Sequence, residues 1–269
     1  MTKQNVLETI YINIAGFKIE INFYQIDPPF LVEKSFRDRM LYYCYGFLSP
    51  PTKKSDFTIN FKSQLYLDTY IKTDQKKFYI SIYQLISLKK MVSYYHLSED
   101  YIKLILRTIC QLLLAQNNGM LFHSSASLIN NQANFFLGDS GAGKSTIVNL
   151  LSSEFKPLAD DIIILKKEKE IYYFYQTPFR EKNLWITKNP NRIPLSRVFF
   201  LKKSTTNKLE KVTNPQFILN NFLKQFLTDQ KDYQKQLPNI TQFLKRFQNF
   251  YILHFSLDHP KELVSLLKK

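Results

Sequence analysis

The chain of 269 residues carries 37 Lys+Arg against 22 Asp+Glu, a formal charge of +15, with 45% hydrophobic and 22% charged residues. That balance excludes wholesale disorder, and 6 glycines and 2 cysteines exclude fibrous, low-complexity and disulfide-scaffold chains. The excess charge is mostly lysine, dispersed among abundant Asn, Ile, Tyr and Phe, so nucleic acid is not the expected partner.

Residues 1–100 read as a β-rich accessory domain. Thr9–Ile14 and Phe17–Phe23 flank Ala15-Gly16, a hairpin signal. Pro28-Pro29 and Ser49-Pro50-Pro51 punctuate the segment, and Val32–Phe47 between them fits a helix or a strand equally. Phe57–Phe61, Leu65–Thr69 and Lys77–Tyr83 are further strand candidates, rich in aromatic and β-branched residues. No cluster of chemically active side chains appears there.

Ser98-Glu99-Asp100 then predicts the cap and acidic first turn of a helix that Asn117-Asn118-Gly119 ends. Its apolar stretch, Ile102–Ala115, is interrupted by Lys103 and Arg107 and is short for a membrane span. The N-terminus lacks the apolar core of a signal peptide. The expectation is a cytoplasmic protein with reduced cysteines and no membrane span.

From Gly119 onward strands alternate with helices. Strands are predicted at Ser125–Ile129, Asn134–Leu137, Pro157–Asp160, Ile162–Leu165, Ile171–Tyr175, Val198–Lys202 and Tyr251–Phe255. Helices are predicted from Ser145 to about Glu154 and at Phe217–Leu227, Ile240–Phe247 and Pro260–Leu267. This alternation implies an α/β core on a mainly parallel sheet.

Gly138-Asp139-Ser140-Gly141-Ala142-Gly143-Lys144-Ser145 fits the phosphate-loop pattern G-x-x-x-x-G-K-[ST], and Thr146 follows it. A chance match in a chain this long is on the order of one in a hundred. Here three of only 6 glycines fall within six residues, after an apolar strand and before a helix. Glycine permits positive φ, so successive amides can turn toward phosphate oxygens, and the helix start adds unpaired N–H groups. Lys144 is expected on the β- and γ-phosphates and Ser145 on Mg²⁺. The expected cofactors are ATP and Mg²⁺.

Asp160-Asp161 ends the next short strand. In open α/β sheets ligands collect at the carboxyl edge, so if that strand neighbours the loop strand, one carboxylate reaches the metal and the other the incoming nucleophile. His123 precedes the strand that pairs into the loop strand, which makes it a neighbour of the phosphates or a structural residue. His96, His254 and His259 lack such a context.

Phe122-His123-Ser124, the glycine loop and Leu158-Ala159-Asp160-Asp161 together resemble HPr kinase/phosphorylase and, more closely, the HPr-kinase-like proteins of peptide-modifying systems. The likeness covers about Leu121–Leu165 and continues more weakly through Gln176–Arg180, Pro194–Leu201 and Tyr251–Phe255. It implies a P-loop kinase core akin to that of phosphoenolpyruvate carboxykinase over residues 101–269. By position it makes Lys144 the phosphate clamp, Ser145 and Asp161 metal ligands, and Asp160 the base that takes a seryl proton. His123 lies near the transferring group, and Arg180 contacts phosphate or substrate. Two departures separate the chain from the HPr kinases proper: Thr146 stands where they have glutamate, and their second signature is not recognisable.

The resulting expectation is an ATP-dependent kinase acting on a hydroxyl of a peptide, protein or small molecule, assembled as a homo-oligomer by the same resemblance. The alternative is a non-catalytic nucleotide-binding regulator or scaffold. No Leu-Ser-Gly-Gly-Gln follows the loop, which argues against a transporter ATPase, and no Asn-Lys-x-Asp appears, which argues against a GTPase.

Overall fold

Ala15 and Gly16 both adopt positive φ, 52° and 85°, the conformation of a two-residue turn whose twist matches a hairpin. They join β1 (Val6–Ile14) to β2 (Phe17–Tyr24), with Ile12 opposite Ile19 and Ile10 opposite Ile21. The computed structural model describes residues 5–25, 31–62, 71–74, 77–80, 83–95, 98–181, 183–228 and 233–269. Pro28-Pro29, the expected strand Leu65–Thr69 and His96 lie outside the described residues. The chain divides into two compact units, Met1–Leu113 and Leu114–Lys269.

In the first unit the segment that fits helix or strand is helical: α1 (Leu31–Cys44) ends in a 3₁₀ turn, Tyr45–Phe47. Phe36, Met40, Cys44 and Phe47, spaced for one helix face, are all fully buried. Next come β3 (Phe57–Lys62), the small hairpin β4 (Ile71–Asp74) and β5 (Lys77–Ile80), then β6 (Tyr83–Ser87), β7 (Lys90–Tyr94) and α2 (Glu99–Ala115). Sheet order is β1-β2-β3-β7-β6. Its core is aromatic, with Phe36 and Phe61 ring centroids 4.7 Å apart and Phe23 stacked on Phe61 at 5.8 Å. Cys44 and Cys110 are free and buried, and burial pushes both thiols up to about 12, so neither is a reactive nucleophile.

The second unit begins with β8 (Gly119–His123), β9 (Ser125–Ile129), β10 (Gln132–Leu137), α3 (Lys144–Leu151), β11 (Lys156–Ala159), β12 (Ile162–Glu168) and β13 (Ile171–Gln176). It continues with β14 (Ile193–Lys203), β15 (Lys208–Lys211), α4 (Pro215–Leu223), α5 (Tyr233–Arg246), β16 (Phe250–Phe255) and α6 (Pro260–Lys268). Asn214 caps α4 by accepting the Phe217 N–H at 3.0 Å, with Pro215 in the first turn. The architecture is mixed α/β, with a separate β-rich sheet in the first unit and a P-loop domain in the second.

The sheet is not mainly parallel, as the alternation of elements implies. Only β10, β14 and β16 run parallel side by side, Leu137 opposite Phe200 and Phe200 opposite Ile252; the other pairings are antiparallel. The reason is local. Asn130 and Asn131 (φ 51° and 60°) and Lys169 (φ 55°) close tight hairpins, leaving no length for a crossover helix. Strands β8 and β15 are additions to the sequence reading.

Alternation along β10 serves two cores. Ala133, Phe135 and Leu137 face Phe174, Phe222 and Phe243, contributed by β13, α4 and α5. Phe136 faces Ile147, Val148 and Leu151 of α3 and Leu263 and Leu267 of α6. Each of those α3 side chains is fully buried and stabilises the unit by about 1.5–3 kcal/mol, which clamps the helix carrying Lys144 to the sheet.

Candidate functional site

Strand β10 ends at Leu137 and the chain curls at once. Gly141 and Gly143 sit at φ 80° and 100°, and the Ala142 N–H donates to the Asp139 carbonyl at 3.0 Å. Helix α3 then starts at Lys144, with the Ile147 N–H on the Gly143 carbonyl at 2.8 Å. Ser125 of β9 holds this junction from beneath, its hydroxyl donating to the Lys144 carbonyl at 2.9 Å. The Lys144 ammonium folds back into the loop and donates to the carbonyls of Gly138 (2.6 Å) and Asp139 (3.3 Å). The Asp139 carboxylate lies 3.6 Å from the Lys224 ammonium.

A Cβ on Gly143 would come within 2.7 Å of the Phe255 ring, besides the strain of its positive φ. Gly143→Ala is therefore expected to lower stability by about 1–3 kcal/mol in urea unfolding, and to weaken nucleotide binding because the loop must shift.

A cleft of about 190 Å³ opens over the loop, lined by Ser140, Gly141, Gly143, Lys144, Ser145 and Thr146 together with His123 and Lys203. Placement of Lys203 follows from β14, which continues past the point where β10 turns into the loop.

The acid turn joins β11 to β12 by two residues, Asp160 and Asp161. Its strand is not the loop strand's neighbour, the condition set above, because β9 lies between them. Since β10 and β11 are both antiparallel to β9, they run the same way and their carboxyl ends still share one edge. His123 closes β8 opposite Ile162, its N–H donating to the Gln225 carbonyl at 2.8 Å. Its Nε2 stands 3.6 Å from Asp161 Oδ1. His123 and the loop thus line one cleft, and Asp161 adjoins it through His123; neither Asp160 nor Asp161 is among the described residues that line it.

Asp160 differs from its neighbour. It is fully buried, its Oδ2 accepting the Asn183 N–H at 2.8 Å while its own N–H donates to Glu181 Oε2 at 2.8 Å. Glu181, itself buried, pairs with the Lys188 ammonium. Burial pushes the Glu181 carboxyl up to about 7 against the pull of Lys188. Burial holds the Lys188 amine below its usual value, while Glu181, Asp160 and Asp161 pull it back up. Sequence reasoning missed Glu181 and Lys188. The one signal, the run Gln176–Arg180, stops a residue short of Glu181. Arg180 is exposed and is not among the described residues that line the cleft.

Among the described residues no group of three or more His, Cys, Asp or Glu could hold a metal ion. Magnesium needs no such cage, since it is bound by one or two protein oxygens with substrate phosphates and water. Ser145 in the cleft and Asp161 at its histidine wall fit that donor set. Among the described residues no helix is long and apolar enough to cross a membrane.

Comparison with known proteins gives three findings. No curated protein matches the chain. Among solved structures, an Hpr(Ser) kinase/phosphatase from Coxiella burnetii is similar over 55% of this chain and 93% of its own, at 13% identity and a TM-score of 0.31. The family model described as ABC transporter matches residues 121–262, the stretch that holds the glycine loop, the acid turn and His123. That match overturns, for the family, the expectation drawn from the missing Leu-Ser-Gly-Gly-Gln: what it spans is a P-loop nucleotide-binding domain, built on the loop and its strands. With more than half of its length so matched, the chain belongs to the ABC transporter family.

Proposed function

We propose that the protein is an ATP- and Mg²⁺-dependent kinase that moves the γ-phosphoryl group to a hydroxyl of a peptide, protein or small molecule. The observation that carries this reading is that the glycine loop and His123 line one cleft, with Asp161 in contact with that histidine. Phosphoryl transfer asks a protein chiefly for positioning, charge neutralisation and a proton acceptor. In this reading the loop amides and Lys144 hold the phosphates. Ser145 and Asp161 hold magnesium, which supplies further neutralisation of the phosphate charge when bound. His123 faces the transferring group. The acceptor oxygen bonds to the γ-phosphorus, the bond to the β-bridging oxygen breaks, and the hydroxyl proton passes to the acid turn. The resemblance to HPr-kinase-like proteins supports Asp160 as that acceptor.

The test is transfer of label from γ-phosphate-labelled ATP, with Mg²⁺, into an extract of the source cells, for wild type and Asp160→Asn. A labelled species is expected with wild type alone. Equal labelling by Asp160→Asn removes that residue from the role of base. Family membership favours a second reading, ATP hydrolysis in the service of a transporter; it predicts free labelled phosphate and no labelled acceptor.

A further inference from the structure

Two residues that no motif marks converge on the acid turn. Glu181 accepts the backbone N–H of Asp160 at 2.8 Å, and the Lys188 ammonium closes on the other oxygen of the same carboxylate. Asn183, two residues beyond Glu181, donates its N–H to the Asp160 side chain at 2.8 Å. Asp160 is thus gripped at both ends by one loop. The loop is itself fastened to the two strands that the turn connects. Gln176 donates from Nε2 to the Leu158 carbonyl of β11 and, at 3.1 Å, to that of Thr187, and it accepts the Asn189 N–H. The Thr177 hydroxyl donates to the Ile162 carbonyl of β12 at 3.0 Å.

We propose that Glu181 and Lys188 are positioning residues for phosphoryl transfer, fixing Asp160 and through it the orientation of Asp161 against His123. The inference rests on the kinase reading above. Its physical basis is the length of the turn. With only two residues between β11 and β12, fixing the backbone and carboxylate of the first leaves the second little freedom. A buried ion pair is a poor way to gain stability alone, since apolar pairs of similar size commonly do as well. Here the pair sits on the turn that carries the acids, and its ammonium also acts electrostatically on both Asp160 and Asp161.

The experiment measures the rate of label transfer from γ-phosphate-labelled Mg-ATP into the acceptor of the source-cell extract, ATP affinity and thermal unfolding for wild type, Glu181→Gln, Lys188→Met and Glu181→Gln/Lys188→Met. The double variant removes both partners of the ion pair, leaving Asp160 held by the Asn183 N–H, and is expected to unfold nearer the wild-type temperature than either single variant. Its kcat is expected to fall about 10–100-fold with ATP affinity within two-fold, as for a small displacement of catalytic groups. Lys188→Arg is expected to recover part of the rate that Lys188→Met loses. A folded double variant with wild-type kcat overturns the proposal, because a purely structural pair would give that result. Should the neutral variants not fold, Glu181→Asp, which keeps the charge and withdraws the carboxylate by one methylene, decides in the same way. Its kcat falls at unchanged unfolding temperature, or the proposal fails. Wild type that labels no acceptor removes the kinase reading together with this one, whereas wild-type labelling beside an unimpaired double variant removes this one alone.

Discussion

Lys144→Ala is expected to lower ATP turnover by about 10²–10³-fold, the loss seen when one preorganised charge-stabilising donor is removed. The substitution is mild for the fold. Alanine is the best helix former at the start of α3, and Ile147, Val148 and Leu151 keep the helix on the sheet. What disappears is the ammonium that now rests on the Gly138 and Asp139 carbonyls. Those contacts are the resting arrangement. Phosphate oxygens entering the cleft would compete for the same three N–H donors, so nucleotide affinity should fall as well. Arginine is no substitute, because its planar fork cannot occupy the niche of a compact ammonium among carbonyls. Equilibrium binding and ADP formation measured together check the prediction. Wild-type turnover by Lys144→Ala would mean that the phosphates lie elsewhere than over this loop.

The second large effect is on stability. Glu181→Ala should cost about 1–3 kcal/mol in equilibrium unfolding, because it leaves the half-buried Lys188 ammonium without its carboxylate and the buried Asp160 N–H without an acceptor. Glu181→Gln should cost less, since its amide oxygen still accepts that N–H. The same residue gives a pH signature. Its carboxyl titrates near 7 in the folded chain, against an ordinary value of 4.5, so between those limits the native state holds a proton that the unfolded chain has released. Its contribution to stability is full below that window and is lost as pH rises through it. Urea unfolding from pH 4.5 to 7 should show a downward trend in wild type that is weaker in Glu181→Gln.

Local chemistry made part of this site readable. Gly138–Ser145 is a single covalent run whose glycines have a conformational reason, and the structure places it between a strand and a helix as that reason requires. The hairpin at Ala15-Gly16 was legible on the same ground. Non-local features were not. That β9 would intervene between β10 and β11 depends on pairing register, which no residue type announces. Glu181 and Lys188 lie in an irregular loop without periodicity, and only the folded chain brings them under Asp160. The four-residue spacing of Phe36, Met40 and Cys44 was present in the sequence, but Tyr42, Tyr43 and Tyr45 are equally at home in a strand and obscured it.

The position of β14 bears on how the unit is made on the ribosome. One edge of this strand is covered by β10, which is synthesised earlier; on the other, β13 covers only Ile193 and Pro194, and the rest waits for β16, which follows β15, α4 and α5. Through that interval Val198, Phe199 and Phe200 belong to a strand with one open edge, the kind that pairs with neighbouring nascent chains. The centre of the nucleotide-binding sheet therefore keeps an open strand edge until Phe250–Phe255 arrives.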